Sequence, residues 1–315
     1  MKTYSYIFVS GSLAYDRIMN FNGRFRDHIL PENLHVLNVS FHVHTFRESF
    51  GGTAGNIAYS LALLGEKPHV LSTFGNDFIK YQAWCRQHRV DLRYSQSVKS
   101  HPTASVYIIT DNDDNQISGF FPGAMSCHGA LPPARLLGAR TFMVVSPKNK
   151  PDMLNDIRQC KKTKTRYMFD PGQQITSFNR QELINGLIGA HSFISNDYEL
   201  SMVLKKVNWP IATLFKNVPL VITTKGSKGS VIFSEGKKIL IPSAKPKNTS
   251  DPTGAGDAYR AGFIKGLQLG LPLEQAGRLG AVVSVYSVET YGTQTHRFTW
   301  QDVKKRYRKN FKEKI

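Results

Sequence analysis

Short β-rich runs alternate with stretches of helical spacing along most of this chain, and no other feature restricts its fold as much. Residues 6–10, 69–73, 141–146, 167–170, 192–195 and 220–223 carry the compact apolar patterns of strands. Between them, residues 56–64, 183–188, 199–206, 258–269 and 273–287 repeat apolar side chains at helical spacing. Such alternation implies a mostly parallel sheet covered on both faces, because parallel neighbours are joined by helical crossovers. Two regions break the rhythm. Residues 104–110 and 116–121 flank the polar turn Asp111-Asn112-Asp113-Asp114-Asn115 and predict a β-hairpin, and residues 13–48 are rich in strand and loop character. The expected fold class is α/β, with a mostly parallel central sheet flanked by helices and a small antiparallel β lid built from insertions at approximately 13–48 and 101–125. A second hairpin, residues 230–234 and 238–242 about Glu235-Gly236, is expected after the last core strand.

Composition narrows the class of function. The 315 residues, 41% of them hydrophobic, suffice for a large core. The longest apolar stretches, such as 142–145 and 231–233, fall far short of the roughly 20 residues of a membrane-spanning helix. The first residues lack the apolar region and cleavage site of a secretory signal, so the expected location is the cytoplasm, with no membrane partner. Cys85, Cys127 and Cys160 are odd in number and far apart, which supplies neither a disulfide framework nor a zinc-ligand spacing. A formal net charge of +18 draws polyanions at low salt. Much of that charge sits in residues 161–166 and 304–309, and such runs are usually solvated faces, which argues against nucleic acid as the partner. The remaining charge would help collect a phosphorylated co-substrate such as ATP by steering.

The chemistry concentrates at Asp251-Pro252-Thr253-Gly254-Ala255-Gly256-Asp257-Ala258-Tyr259-Arg260-Ala261-Gly262-Phe263, where a turn with two glycines opens directly into a helix. Residues without side chains let backbone N–H groups converge, and a helix N-terminus adds partial positive charge, so Gly254, Ala255 and Gly256 are candidates for an anion hole around a transferring phosphoryl group. Donors of this kind contribute about 3 kcal/mol each when aimed at developing charge. Asp257, in the first helical turn, fits two roles: a general base for an incoming hydroxyl or a plain helix cap. A dinucleotide fingerprint would need a third glycine where Tyr259 stands, and the full phosphate-loop pattern G-x-x-x-x-G-K-[ST] occurs nowhere.

The turn from Asp251 to Asp257 resembles the D-T-x-G-A-G-D signature of the ribokinase, or PfkB carbohydrate kinase, family, with Pro252 in the second place. A second motif, Gly51-Gly52-Thr53-Ala54-Gly55-Asn56, continuing to Leu64-Gly65 and Gly75-Asn76-Asp77, is similar to the family's glycine pair followed by a helical asparagine. The resemblance extends over nearly all of the chain and implies one ribokinase-like α/β domain spanning residues 1–315. It also implies an ATP-dependent kinase with Asp257 as catalytic base. Asp16 would grip a vicinal diol by accepting two hydrogen bonds, with Gly52 and Asn56 completing the substrate site. Asn196 and Glu199, in Asn196-Asp197-Tyr198-Glu199, are similar to the family's N-x-x-E motif and would organise Mg²⁺ through water. Thr224, Lys225 and Gly226 resemble its nucleotide-phosphate contact, with Gly254 and Gly256 also on the nucleotide, and Asp251 falls at a monovalent-cation site that implies K⁺.

Departures from the pattern bear on the substrate. The strand end Asp170-Pro171-Gly172-Gln173-Gln174 keeps the aspartate of D-x-N-x-R but neither of its companions. Ribose-specific members place an asparagine two residues before the N-terminal aspartate, where this chain has Ala14. Tyr107, Phe120, Phe121 and Met125 around the lid suit a flat nucleobase, or simply pack the lid. Together with Phe50-Gly51-Gly52, Phe121-Pro122-Gly123-Ala124-Met125 and Gly292-Thr293-Gln294, the pattern is most similar to the bacterial adenosine-kinase-like branch, which implies a purine nucleoside, adenosine first, phosphorylated on its 5′-hydroxyl. The alternatives are a sugar kinase acting on ribose, fructose or a related sugar, and a basic nucleic-acid-binding or regulatory protein on a kinase scaffold. A homodimer through the lid and a monomer with a free lid are both compatible with these residues.

Overall fold

A computed structural model describes residues 3–30, 35–113 and 115–315. Residues 31–34 of the expected lid insertion, Asp114 of the expected turn and the first two residues lie outside the described residues. In chain order the strands are β1 (Tyr6–Ser10), β2 (Ala14–Phe21), β3 (Val43–Gly51), β4 (Pro68–Leu71), β5 (Thr73–Phe74), β6 (Gln96–Ser97), β7 (Ala104–Thr110), β8 (Gln116–Phe121), β9 (Thr141–Val145), β10 (Arg166–Phe169), β11 (Ser192–Asn196), β12 (Leu220–Thr224), β13 (Ser230–Ser234) and β14 (Lys237–Ile241). The helices are α1 (Thr53–Leu63), α2 (Ile79–Gln87), α3 (Lys150–Thr163), α4 (Arg180–Leu187), α5 (Asp197–Val207), α6 (Ile211–Asn217), α7 (Ala255–Gln268), α8 (Leu273–Val288) and α9 (Trp300–Phe311).

Eight strands form the main sheet in the order β14-β13-β12-β11-β10-β9-β1-β4. Its pairings are parallel from β4 to β12 and antiparallel at the β12–β13 and β13–β14 edge, where the expected second hairpin lies. Strands buried on both faces must be apolar at consecutive positions, since each residue turns to the opposite side from the last. Thus Ile7, Val9, Phe142 and Val144 enter one core with α1, α7 and α8, while Phe8, Met143 and Val145 enter a second with α3, α4 and α5. Two cores on one sheet fix the strand ends rigidly, and the carboxyl ends of parallel strands are where ligands meet such sheets.

The lid is a second, four-stranded sheet in the order β3-β2-β7-β8. Its β2–β3 and β7–β8 pairs are antiparallel, as expected of a small antiparallel lid, while the central β2–β7 pair is parallel. That pairing follows from position: Ala14 and Ala104, side by side at the buried base, begin two strands that leave the core in the same direction.

Several helices differ from the periodicity reading. α1, α4 and α7 each begin three residues earlier than their apolar spacing indicates, because their first turns carry small or polar residues. α2, α3, α6 and α9 were not signalled among the expected helices. The basic run 304–309, expected as a solvated face, belongs to α9: Lys305, Arg308 and Lys309 are exposed, but Val303, Arg306 and Tyr307 are buried. The Arg306 guanidinium is paired with Glu289, which lets a charge enter the packed side of the helix.

Gly52 enters α1 at φ +84°, and a Cβ there would lie 2.5 Å from the Ser12 carbonyl oxygen and 2.7 Å from the Ala14 nitrogen. Gly52→Ala therefore combines left-handed strain with a backbone collision and is expected to destabilise the protein by about 2 kcal/mol or more. Urea unfolding reads this as a lower midpoint at unchanged slope; an unaltered midpoint contradicts it.

Candidate active site

Four chain segments converge at the carboxyl end of the main sheet. Gly254 takes φ +77° as the N-cap of α7, a conformation that favours glycine, and a Cβ there would crowd Thr293 and Ser287. The turn is braced by Asp251, whose carboxylate accepts from the Thr253 amide at 2.8 Å and from the Gly292 amide at 2.9 Å. Ala255 donates its N–H to the Pro252 carbonyl at 3.2 Å, so one of the amides expected in the anion hole is directed into the turn. Among the described residues the N–H groups of Gly254, Gly256 and Asp257 have no such partner. A helix start with free donors and a positive dipole end attracts an anion.

Asp257 follows in that first turn and meets Asn56, whose Nδ2 donates to its Oδ2 at 2.9 Å. The amide of Asn56 is oriented from behind. Gln294 Nε2 donates to Asn56 Oδ1 at 3.1 Å, which leaves the Asn56 NH₂ group facing the carboxylate. Gln294 is itself fixed by Tyr81 and by the Trp84 indole N–H, which donates to its Oε1 at 3.2 Å. Burial pushes the Asp257 carboxyl up to about 7; the Arg260 charge and the Asn56 hydrogen bond oppose the rise, and Asp170 and Asp16 add to it. The side chain nevertheless keeps partial access to solvent.

Asp16 stands on β2 facing the same cleft. Thr293 Oγ1 lies 2.9 Å from Asp16 Oδ2 and 2.7 Å from the Phe50 carbonyl, so its single proton serves one of the two at a time. Burial lifts the Asp16 carboxyl to about 6, partly offset by Thr293 and reinforced by Asp251. Gly51 makes room for this carboxylate: a Cβ there would sit 2.4 Å from Asp16 Oδ2. Sheet register sorts the lid aromatics. Phe120 pairs across Val106 to Asp16 and shares its face, whereas Tyr107 pairs with Arg17 and Phe121 pairs across Ser105 to Tyr15, both on the opposite face. Tyr107 instead receives a hydrogen bond from Arg17 at 2.5 Å. Met125 lies half-buried in the turn after β8.

Asp170, bereft of its companions in sequence, has one in space. Arg260, three residues beyond Asp257, donates through Nε at 2.5 Å and Nη2 at 2.8 Å to the two Asp170 oxygens, and both side chains are buried. Sequence reasoning passed over Arg260. The signal available was its helical spacing from Asp257, which puts both on adjoining positions of one helix face. Asn196 and Glu199 form a reciprocal cap at the start of α5, with Asn196 Oδ1 accepting from the Glu199 amide at 2.7 Å and Glu199 Oε2 from the Asn196 amide at 2.8 Å. Burial and Asp170 raise the Glu199 carboxyl, while Asn196 and Arg260 lower it. Thr224 ends β12, and Lys225 and Gly226 follow on an exposed turn, with the Lys225 amide bonded to Gly229. Among the described residues no three His, Cys, Asp or Glu side chains gather as a metal cage. No helix of the described residues is long and apolar enough to cross a membrane.

A glycine-turn helix start carrying Asp257 thus faces the Asp16 carboxylate across a cleft at the end of a parallel sheet. The pfkB family carbohydrate kinase model matches residues 13–300, and the chain belongs to that family of ATP-dependent kinases. Among its relatives, a nucleoside kinase of Methanocaldococcus jannaschii is 32% identical over 277 residues, covering 87% of this chain and 90% of that protein. The Burkholderia thailandensis nucleoside kinase in complex with inosine superposes with a TM-score of 0.86 at 30% identity, covering 98% of each chain. Its complex with ADP and inosine superposes at 0.84 with 33% identity, covering 98% and 97%.

A carboxyl whose folded value lies above its unfolded one withdraws stability as pH rises through the folded value. That loss accumulates from the ordinary carboxylate range up to about 7 and is complete above it, so Asp257→Asn is expected to raise the melting temperature more at pH 8 than at pH 5. Thermal unfolding at the two pH values checks this; a lower melting temperature at pH 8 contradicts it.

Proposed function

We propose that this protein transfers the γ-phosphoryl group of ATP to the 5′-hydroxyl of a purine nucleoside, adenosine first and inosine as the second candidate. The observation that carries the reading is the Asp257 carboxylate, held by Asn56 in the same first turn as the helix-start amides that have no partner among the described residues. Inosine bound to the similar Burkholderia enzyme supports a purine nucleoside. The apolar lid supports it too: Phe120, exposed on the Asp16 face, offers a platform for a flat base.

In this reading Asp16 accepts hydrogen bonds from the ribose diol, while Gly52 and Asn56 shape the floor beneath it. Asp257 accepts the proton of the 5′-hydroxyl as that oxygen attacks phosphorus. The amides of Gly254, Gly256 and Asp257 receive the negative charge of the phosphoryl oxygens, Ala255 holding the turn that aims them. Thr224, Lys225 and Gly226 line the nucleotide's approach, where the exposed Lys225 ammonium pairs with phosphate. Glu199 keeps Oε1 unengaged beside the Asn196 cap, which suits a Mg²⁺ ion held through water; when bound, that ion would screen the charge of the triphosphate. Asp251 retains lone pairs beyond its two amide partners and is the proposed contributor to a K⁺ site. Closure of the lid would keep water from the phosphoryl group. The same lid offers β8 as an exposed edge, where a homodimer through paired lids is the proposed assembly.

An ATP-coupled assay against adenosine, inosine, guanosine, ribose and fructose tests the substrate, and sugar turnover without nucleoside turnover rejects the reading. Asp257→Asn is expected to lower kcat by about 10²–10⁴-fold with ATP affinity retained, and Asp16→Ala to raise the nucleoside KM by about 10–100-fold. Because the base works only when ionised, kcat/KM should fall about tenfold per pH unit below 7, steepening below 6 as Asp16 also protonates. A flat profile between pH 5 and 7 contradicts this assignment.

A further inference from the structure

The cleft gathers several carboxylates about the proposed base. Asp257 on α7 is faced by Asp16 from β2 and by Asp170 from the end of β10, while Glu199 on α5 faces Arg260. Asn56 on α1 contributes a neutral donor. Arg260 is the one cation among these groups. It is buried, its Nε and Nη2 clasp both oxygens of Asp170, and its Nη1 lies 2.9 Å from where a Cβ at Gly256 would stand. A side chain at 256 would press on the guanidinium, so the Arg260 head lies beside the glycine turn while it clasps Asp170.

Resting on the kinase reading above, we infer that Arg260 is a positioning residue for the catalytic base: clasped by Asp170, it sets the charge beside Asp257 and so the pH range in which the base is ionised. The geometry separates this from a packing role. A packing pair would need only shape and mutual satisfaction, whereas here the positive member sits one helical turn from the base and is held there by a carboxylate from the end of β10. Arg260 lowers the Asp257 carboxyl more than Asp170 raises it, so the pair as a whole favours the ionised base. The two members act with opposite sign, and that opposition is what an experiment can read.

The test is the dependence of kcat/KM on pH, from 5 to 9.5, for the wild type and for Arg260→Met, Arg260→Lys and Asp170→Asn, using whichever acceptor the wild type phosphorylates. Arg260→Met is expected to move the acid limb up by about one pH unit, a roughly tenfold loss at pH 6 that is recovered by pH 9. Asp170→Asn should move the limb down, and Arg260→Lys, which keeps the charge but loses the two-pronged clasp, should leave it in place while lowering the plateau. Limbs that coincide in all four proteins, with plateau losses alone, overturn the inference. If Arg260→Met does not fold, the direction of the Asp170→Asn shift decides: downward supports the inference, and unmoved or upward overturns it. A wild type that phosphorylates a sugar but no nucleoside rejects the substrate reading and leaves this test intact.

Discussion

A single hydrogen bond joins the two halves of the chemistry: the amide of Asn56 at the start of α1 meets the carboxylate of Asp257 at the start of α7. The partners lie 201 residues apart in sequence, so the contact exists only because both helices are pinned to the same face of one sheet. Each helix is entered through a glycine at positive φ, Gly52 before α1 and Gly254 before α7. A side chain at Gly52 would collide with the backbone of Ser12 and Ala14, and one at Gly254 would be strained and crowd Thr293 and Ser287. The Asp16 carboxylate is placed by a similar device, since the absent side chain of Gly51 is the space it occupies.

The arrangement is electrostatically costly. Asp16 and Asp257 share a cleft whose burial penalises each ionised carboxylate, and both are held well above the ordinary carboxylate range. A fold persists in such a state only when the rest of the molecule overdetermines it, and here two apolar cores on opposite faces of the sheet do so. In the proposed mechanism the same penalty is useful, because a carboxyl titrating close to the working pH couples ionisation to proton affinity. Stability and proton chemistry therefore pull in opposite directions at residue 257.

Much of this was legible in the chain. The parallel sheet followed from alternation of pattern, whereas the aspartate of the glycine turn fitted a base and a helix cap equally, and only the turn's resemblance to the family signature favoured the base. What could not be read depends on three-dimensional register. Whether Tyr107 or Phe120 faces Asp16 turns on strand pairing, and the pleat sends them to opposite faces. The clasp on Asp170 comes from Arg260, 90 residues on, where the family pattern has its companions beside it in sequence. The α9 helix was hidden because its cations obscure an apolar stripe of Val303 and Tyr307, and because Arg306 is buried with a partner that composition cannot supply.

The account stands on residue 257 and the free amides before it meeting the same reacting atoms. The most direct measurement is a crystal structure of the Asp257→Asn variant with a purine nucleoside and a non-hydrolysable ATP analogue. The account predicts the 5′-oxygen within hydrogen-bond reach of the residue 257 side chain, about 2.6–3.2 Å, with the terminal phosphate on the amides of Gly256 and its neighbour. A nucleoside bound with its 5′-oxygen turned from that side chain, or phosphates lying away from the start of α7, would contradict it.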